Sequence, residues 1–315
     1  MMDFRRYFFS GLVFLGCLLC VTAQTSFTVG TYNLEKYKFE ETADFKAKSE
    51  KIVETIQRMN ADVVGLVEMG DKDSLNYLTK ELKKKNVSYP YVEWMPSNDT
   101  NLNLAVLSRY PLKQTVHHKK DRYSLNQKMY TLKRGVLETH VQVTDDYTFT
   151  VLLTHLKSQV EVKYADQAEI RLKEAQLIRE KIIDPMLERN SKEDFILMGD
   201  MNDNYNNMPI QTLIGTRTAH PRMVDSRPIE PNGDSLPENR TRGRFRSVAW
   251  THFYSTEDSY SRLDYILYSP GMRDQFQAEH SEVVVVPNWG TASDHRPIKA
   301  SFSVPKQGTK KTKKK

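Results

Sequence analysis

The feature that most constrains this chain is a set of short apolar runs that each stop at a carboxylate, an amide or a histidine. Val63-Val64-Gly65-Leu66-Val67 stops at Glu68, the run Thr148–Thr154 stops at His155, and Phe195–Met198 leads through Gly199 to Asp200. Phe27-Thr28-Val29-Gly30-Thr31-Tyr32 alternates β-forming residues and stops at Asn33. Runs of this length and composition read as strands, several of them buried. A polar group at the C-terminal end of a buried strand stands where a site can be assembled.

Helices are expected between some of these strands. Phe45 to Asn60 carries Ile52, Val53, Ile56 and Met59 on one face, and Ser74 to Lys85 reads as a polar helix. The longest helix is expected from Tyr164 to Ile183, burying Ala168, Leu172, Ala175, Ile178 and Ile182, with Pro185 as its end or a kink. Further strands are expected at Leu102–Ser108, Gly135–Val143, Val248–Tyr254, Leu263–Tyr268, Glu282–Val286 and Ile298–Val304. Strands outnumber helices and come in runs, which predicts layered α/β with large mixed or antiparallel sheets rather than a simple doubly wound fold. There is no internal repeat and no long linker, and 315 residues suffice for one large domain or two small ones. Thr216 to Ser247, rich in Arg, Pro, Gly and Asn, reads as a long surface loop.

The two ends differ from the body. Arg5 and Arg6, the apolar run Phe8 to Val21 and the small residues of Val21-Thr22-Ala23 form a signal-peptide pattern over residues 1–23. The run is short for a membrane span of about 20 residues. A retained anchor, or a lipoprotein signal at Phe14-Leu15-Gly16-Cys17, is the alternative. The only cysteines, Cys17 and Cys20, fall inside that segment, so the processed chain would carry no thiol. That excludes cysteine nucleophiles and cysteine zinc sites, and it suits a secreted or periplasmic protein. The net charge of +6 comes from the ends, because Lys306, Lys310, Lys311, Lys313, Lys314 and Lys315 crowd the C-terminus. The expected organisation is therefore a signal (1–23), a single main domain (24–304) and a disordered lysine-rich tail (305–315). The tail reads as a solubilising end or as a salt-sensitive tether for polyanions.

The polar strand ends define a chemistry. Glu68 and hard oxygen donors like it suit Mg2+, which keeps several waters and needs few protein carboxylates. Asn33 can orient water or a phosphoryl oxygen, or simply form a turn. His155 can donate to a phosphate oxygen. Asp200 and Asn202 stand two apart in Gly199-Asp200-Met201-Asn202-Asp203, so an extended segment would point both the same way. Asp264, in Arg262-Leu263-Asp264-Tyr265-Ile266, needs a partner if its alternating strand is half-buried. His295 of Ser293-Asp294-His295-Arg296-Pro297 is the natural one, and the pairing would make it a general base. An arginine partner for Asp264 is the structural alternative.

These motifs, together with Ala105-Val106-Leu107-Ser108-Arg109-Tyr110-Pro111 and Thr154-His155-Leu156-Lys157, resemble the endonuclease/exonuclease/phosphatase superfamily from about residue 27 to residue 303. The resemblance implies a deoxyribonuclease I-like fold: a four-layer α/β/β/α sandwich of two packed mixed sheets, with the site at one end. It implies Glu68 as the main metal ligand with Asn33 and Asp294 nearby, and His295 as base oriented by Asp264. Asp200 and Asn202 would align water and stabilise the phosphate, His155 would neutralise developing charge, and Arg134 would contact phosphate. The implied cofactor is Mg2+, with Mn2+ or Ca2+ as alternatives. Met201 departs from the family, many of whose members carry an aromatic residue there, and Asp203 adds a carboxylate that reads as an ion contact or a solvated turn.

The expected function is a secreted, monomeric, metal-dependent endonuclease with no obligate protein partner. Arg240-Thr241-Arg242-Gly243-Arg244-Phe245-Arg246 is a candidate nucleic-acid contact or a solvated loop. A sphingomyelinase-like or phosphoinositide-type lipid phosphoesterase would use the same residues on a lipid headgroup, although His252-Phe253-Tyr254 and Trp289 are too sparse for a membrane-inserting hairpin. A catalytically silent binding protein on the same fold is the reading of another class.

Overall fold

The computed structural model describes residues 25–99, 102–215, 221–231 and 249–305. The expected signal segment, residues 306–315 of the tail and the Arg240–Arg246 stretch lie outside them. Two six-stranded sheets form the centre. The first runs in the order β15 (Phe276–Val283), β16 (Ile298–Ser303), β1 (Ser26–Tyr37), β2 (Val63–Met69), β4 (Asn103–Ser108), β3 (Tyr91–Met95). The second runs β11 (Val224–Asp225), β14 (Asp264–Tyr268), β10 (Phe195–Asp200), β9 (Tyr147–His155), β8 (Val136–Thr144), β5 (Leu112–His118). The pairs β1–β2 and β9–β10 are parallel and the other neighbours antiparallel, so both sheets are mixed.

The layers follow from side-chain alternation along the strands. Val63 and Val67 of β2 face the second sheet and pack with Phe27, Val29, Val151, Met198 and Ile266. Val64 and Leu66 point the other way, onto α1 (Ala43–Met59) and α2 (Lys72–Lys84), through Ile52, Ile56 and Leu78. The far side of the second sheet is covered by α3 (Gln167–Ile178), α4 (Asp184–Arg189) and α5 (Met208–Ile214), through Ile170, Ile178, Leu187 and Leu213. The result is the expected four-layer α/β/β/α sandwich. At Gly65 the sheets approach so closely that a Cβ would lie 2.7 Å from both Leu153 and Met198.

Some local expectations fail for identifiable reasons. The long helix is broken into α3, a π-helical turn at Arg179–Ile183, and α4, with Pro185 in the first turn of α4 rather than at a helix end. Ala168 is exposed and Leu172 half-buried, while Arg171 and Glu174 are buried. These two have polar partners inside, because Arg171 Nε donates to Asp203 at 3.0 Å and Glu174 accepts from Lys157 N at 2.7 Å. Apolar periodicity cannot register a face that buries paired charges. The strand expected to reach Val286 stops at Val283, and Val284 N instead donates to Pro297 O. Two hairpins lie outside the sheets: β6 (Arg122–Leu125) with β7 (Lys128–Thr131), and β12 (His252–Tyr254) with β13 (Ser259–Ser261). Of the expected loop from Thr216 to Ser247, the described part holds β11 and a bridge from Ile229 to Glu282.

Candidate active site

Strand register places the polar ends side by side. Asp200 pairs with His155 across the parallel β9–β10 ladder and with Asp264 across β10–β14. The turn into the site needs Gly199, which sits at φ +135°, where a Cβ would come within 1.9 Å of Thr154 O. The first sheet delivers Asn33 and Glu68 through an irregularity in the β1–β2 register after Asn33. Glu35, Lys36 and Glu68 all have positive φ there, a conformation costing about 1–3 kcal/mol for a residue other than glycine. The bend lets Glu68 accept from Asn33 Nδ2 at 3.3 Å and from Lys36 N at 3.0 Å.

Asp200 is the hub. Its Oδ2 accepts from Asn33 Nδ2 at 2.9 Å, and the Nε2 atoms of His155 and His295 each lie 3.7 Å away. Its Oδ1 accepts from Asn202 N at 2.8 Å. Burial pushes the Asp200 carboxyl up to about 7 with help from the Asp264 charge, against the opposing effects of His295 and the two amide donors.

His295 Nδ1 donates to Asp264 Oδ2 at 2.7 Å, so the carboxylate that opens the fully buried β14 finds a histidine rather than an arginine. The candidate arginines are taken elsewhere: Arg262 pairs with Asp225, and Arg296 pairs with Glu230 while stacking on Trp250. Thr251 Oγ1 accepts from Leu263 N and Asp264 N, and Ser293 Oγ donates to Asn33 O while accepting from His295 N. These hydroxyls fix the dyad against both sheets. Burial lowers the basicity of His295, but the Asp264 and Asp200 carboxylates outweigh it and raise the imidazole above its usual range.

Asp294 has 43% of its side chain exposed and points outward, 3.6 Å from His252 Nε2. Its carboxyl feels burial upward, but the contacts to His252 and His295 prevail and lower it. The His252 ring lies against that of His295, with centroids 4.6 Å apart. Sequence reasoning saw His252 only as part of a sparse aromatic stretch. The signal that it belongs here is a backbone bridge between His252 and His295, which no local pattern reveals.

Other expected residues are placed differently. Arg134 is buried and engaged by Leu156 O at 3.0 Å and by Asp99 at 3.3 Å. Asn202 has φ +52°, so it does not continue an extended segment alongside Asp200, and its Nδ2 donates to the same Leu156 carbonyl at 3.1 Å. Asp203 is neither an ion contact nor a solvated turn, because Arg171 and Asn207 hold it in the interior. Met201 is fully buried in the core between β-sheet and helices.

The site suits a hard cation and an anionic oxygen. Asp200, Asp264 and Asp294 gather around the His295 imidazole, whose basicity they raise, and Glu68 lies beside His155. Among the described residues, Asp200, Asp264 and His295 each bring one ligand atom within 4.8 Å of the others, as do His252, Asp294 and His295. Glu68 joins through Asn33 and through His155 Nε2, 3.8 Å from its Oε1. Asn33 Oδ1 accepts from Glu35 N at 2.9 Å, and Glu68 and Asp294 are the carboxylates of the set that are not fully buried. The His155 side chain is 1% exposed, and neither ring nitrogen has a hydrogen-bond partner within the protein. Buried polar atoms without a protein partner mark a place where something else binds. Burial and the nearby Arg134, His295 and Lys157 charges hold His155 neutral, so it can offer an N–H but no charge.

A two-sheet α/β sandwich with this polar end has the architecture of a phosphoesterase. The sequence profile of the Endonuclease/Exonuclease/phosphatase family matches residues 30–295, and the chain belongs to that family. Solved structures share the fold at low identity. A Bacteroides vulgatus endonuclease/exonuclease/phosphatase has a TM-score of 0.62 at 14% identity, covering 90% of this chain and 100% of its own. The human Nocturnin catalytic domain with bound sulfate has a TM-score of 0.60 at 14% identity, covering 89% and 96%. Truncated Caenorhabditis elegans TDP2 has a TM-score of 0.58 at 13% identity, covering 89% and 98%. No curated protein matches by sequence.

Proposed function

We propose that the protein is a divalent-metal-dependent phosphodiesterase that cuts nucleic acid by direct attack of water on phosphorus. The observation that carries this reading is the buried Asp264–His295 contact of 2.7 Å, set with its free Nε2 3.7 Å from Asp200. With Nδ1–H held by Asp264, Nε2 is the acceptor for a proton from water when the ring is neutral, a form that a cation held by Glu68 and Asp294 would favour by opposing the surrounding carboxylates. Asp200 Oδ2 holds that water against Nε2, and the imidazolium that forms is stabilised by Asp264 and Asp200. His155 offers its N–H to a non-bridging phosphate oxygen from a dry, fixed position. Glu68 and Asp294 would hold the cation, Mg2+ by the hardness of its donors, with Mn2+ or Ca2+ as substitutes. A cation there supplies charge stabilisation and orientation of the phosphate. Asn33 keeps the Glu68 and Asp200 carboxylates from separating.

Nucleic acid is favoured over a lipid headgroup because the β12–β13 hairpin, which brings His252 to the site, ends in the polar tip Glu257-Asp258, not in an apolar wedge. The pattern of residues 1–23 supports export, to the periplasm or outside the cell, with Gln24 as the processed N-terminus. Mass spectrometry of the exported protein checks that end.

The test is purified protein with plasmid DNA, RNA, sphingomyelin and phosphoinositide vesicles. Magnesium-dependent plasmid nicking, abolished by chelation and by His295→Ala, is expected. Lipid hydrolysis without nicking overturns the substrate, and activity that survives chelation or His295→Ala overturns the mechanism.

A further inference from the structure

A ladder of three tyrosines stands beside the site. Tyr123 of β6 is anchored in the core below α3. Tyr130 of β7 stacks on it at 5.9 Å and 27°, and Tyr164 stacks on Tyr130 at 5.4 Å and 18°. Tyr164, 40% exposed, is the outermost ring. The ladder lines a cleft of about 410 Å³ with Arg122, Lys133 and Asn98. Lys133 Nζ lies 6.0 Å from the Tyr164 ring centre. The surrounding chain is strongly basic, since Lys119, Lys120, Arg122, Lys128, Lys133 and Arg134 face Asp121 alone in residues 118–134.

The cleft is linked to the site through Arg134. Lys133 O accepts from Asn98 N at 2.8 Å, and the next residue, Arg134, donates to Leu156 O. Leu156 follows His155, and its carbonyl also holds Asn202. Lys133 is thereby linked to His155 through one side chain, that of Arg134, and one carbonyl, Leu156 O.

We propose that this cleft binds an unpaired nucleotide flanking the scissile phosphate, and that the enzyme prefers single-stranded nucleic acid. The proposal rests on the nuclease reading above. Both faces of a base in a duplex are covered by its neighbours, so a tyrosine platform can stack only on a base that is out of the helix. Lys133 and Arg122 supply the charge for the adjoining phosphates. The ladder, braced by the buried Tyr123, presents Tyr164 without having to order it first.

The test compares a single-stranded oligonucleotide, the same sequence as a duplex, and bis(p-nitrophenyl) phosphate, a diester too small to reach the cleft. Wild type should cut the single strand faster than the duplex. Tyr164→Ala should lower kcat/KM on the single strand, relative to the small diester, by roughly 5- to 150-fold. Tyr164→Phe, which keeps the ring, should restore the ratio. In the His295→Ala background, binding of a fluorescent single strand should weaken with Tyr164→Ala. Lys133→Gln there should reduce the salt dependence of log K by about one unit of slope. Equal loss on all three substrates, or none, overturns the cleft and leaves the nuclease standing. Turnover of the small diester with no cutting of any nucleic acid overturns both readings.

Discussion

His155 ends β9 of the second sheet, His295 lies in the loop leading into β16 of the first, and the two converge on one atom, each with Nε2 3.7 Å from Asp200 Oδ2 and both buried. Their chemistry nevertheless diverges. His295 has the Asp264 carboxylate on Nδ1 and is driven toward the protonated form. His155 has no hydrogen-bond partner on either nitrogen, and burial together with the Arg134, His295 and Lys157 charges drives it toward the neutral form. Burial acts alike on both, so the local charges decide which imidazole is the more basic. The strand end of β9 thus holds the less basic ring, and the loop into β16 the more basic one.

The comparison can be broken at its strongest point first. His295→Ala should cost about 10⁴-fold in kcat on plasmid, at the upper end for loss of a general base. Asp264→Asn should cost about 10²- to 10³-fold and also move the acidic limb of the pH–rate profile. The sign follows from the cause: Asp264 raises the His295 pKa, so its removal lowers that pKa and shifts the limb to lower pH. His155→Ala should cost about 10²-fold as a lost donor and leave the acidic limb in place, because a neutral ring carries no charge to remove. A limb that moved with His155→Ala would erase the distinction between the two histidines.

His252→Ala should cost roughly 2- to 10-fold in kcat/KM, the worth of one polar contact to Asp294. The smallest effect concerns a control pair outside the site. His118 Nε2 lies 2.7 Å from Glu138 Oε2, the same separation as in the dyad, but half-exposed. The hydrogen bonds from His118 and His140 lower the Glu138 carboxyl from 4.5 to about 2. A carboxyl lowered on folding adds stability that is full above pH 4.5 and lost as pH falls toward 2. Glu138→Gln should flatten the acid side of the thermal stability profile over that window, by a modest amount because solvent screens the pair. Nuclease activity at neutral pH should not follow it.

Most of the architecture was legible because it depends on short-range patterns. Runs such as Val63–Val67 and Phe195–Met198 are buried on both faces, and their polar ends mark where the sheets open. The strands missed were half-exposed ones such as β3 and β5, whose side chains carry no uniform apolar signal. The buried face of α3 was misread because Arg171 and Glu174 look like surface residues until Asp203 and the Lys157 amide are brought to them.

The sequence by itself determined the residue types at the site and their order along the chain, because each sits at the end of a recognisable run. Tertiary structure alone decided their partners. Asp264 and His295 are 31 residues apart and meet only when β14 lies beside the loop before β16. His252 enters through a bridge to the same loop, and Arg134, expected at phosphate, is drawn onto Leu156 O instead. Hydrogen bonds and charge coupling act across a few ångströms of space, and one-dimensional spacing does not encode that distance.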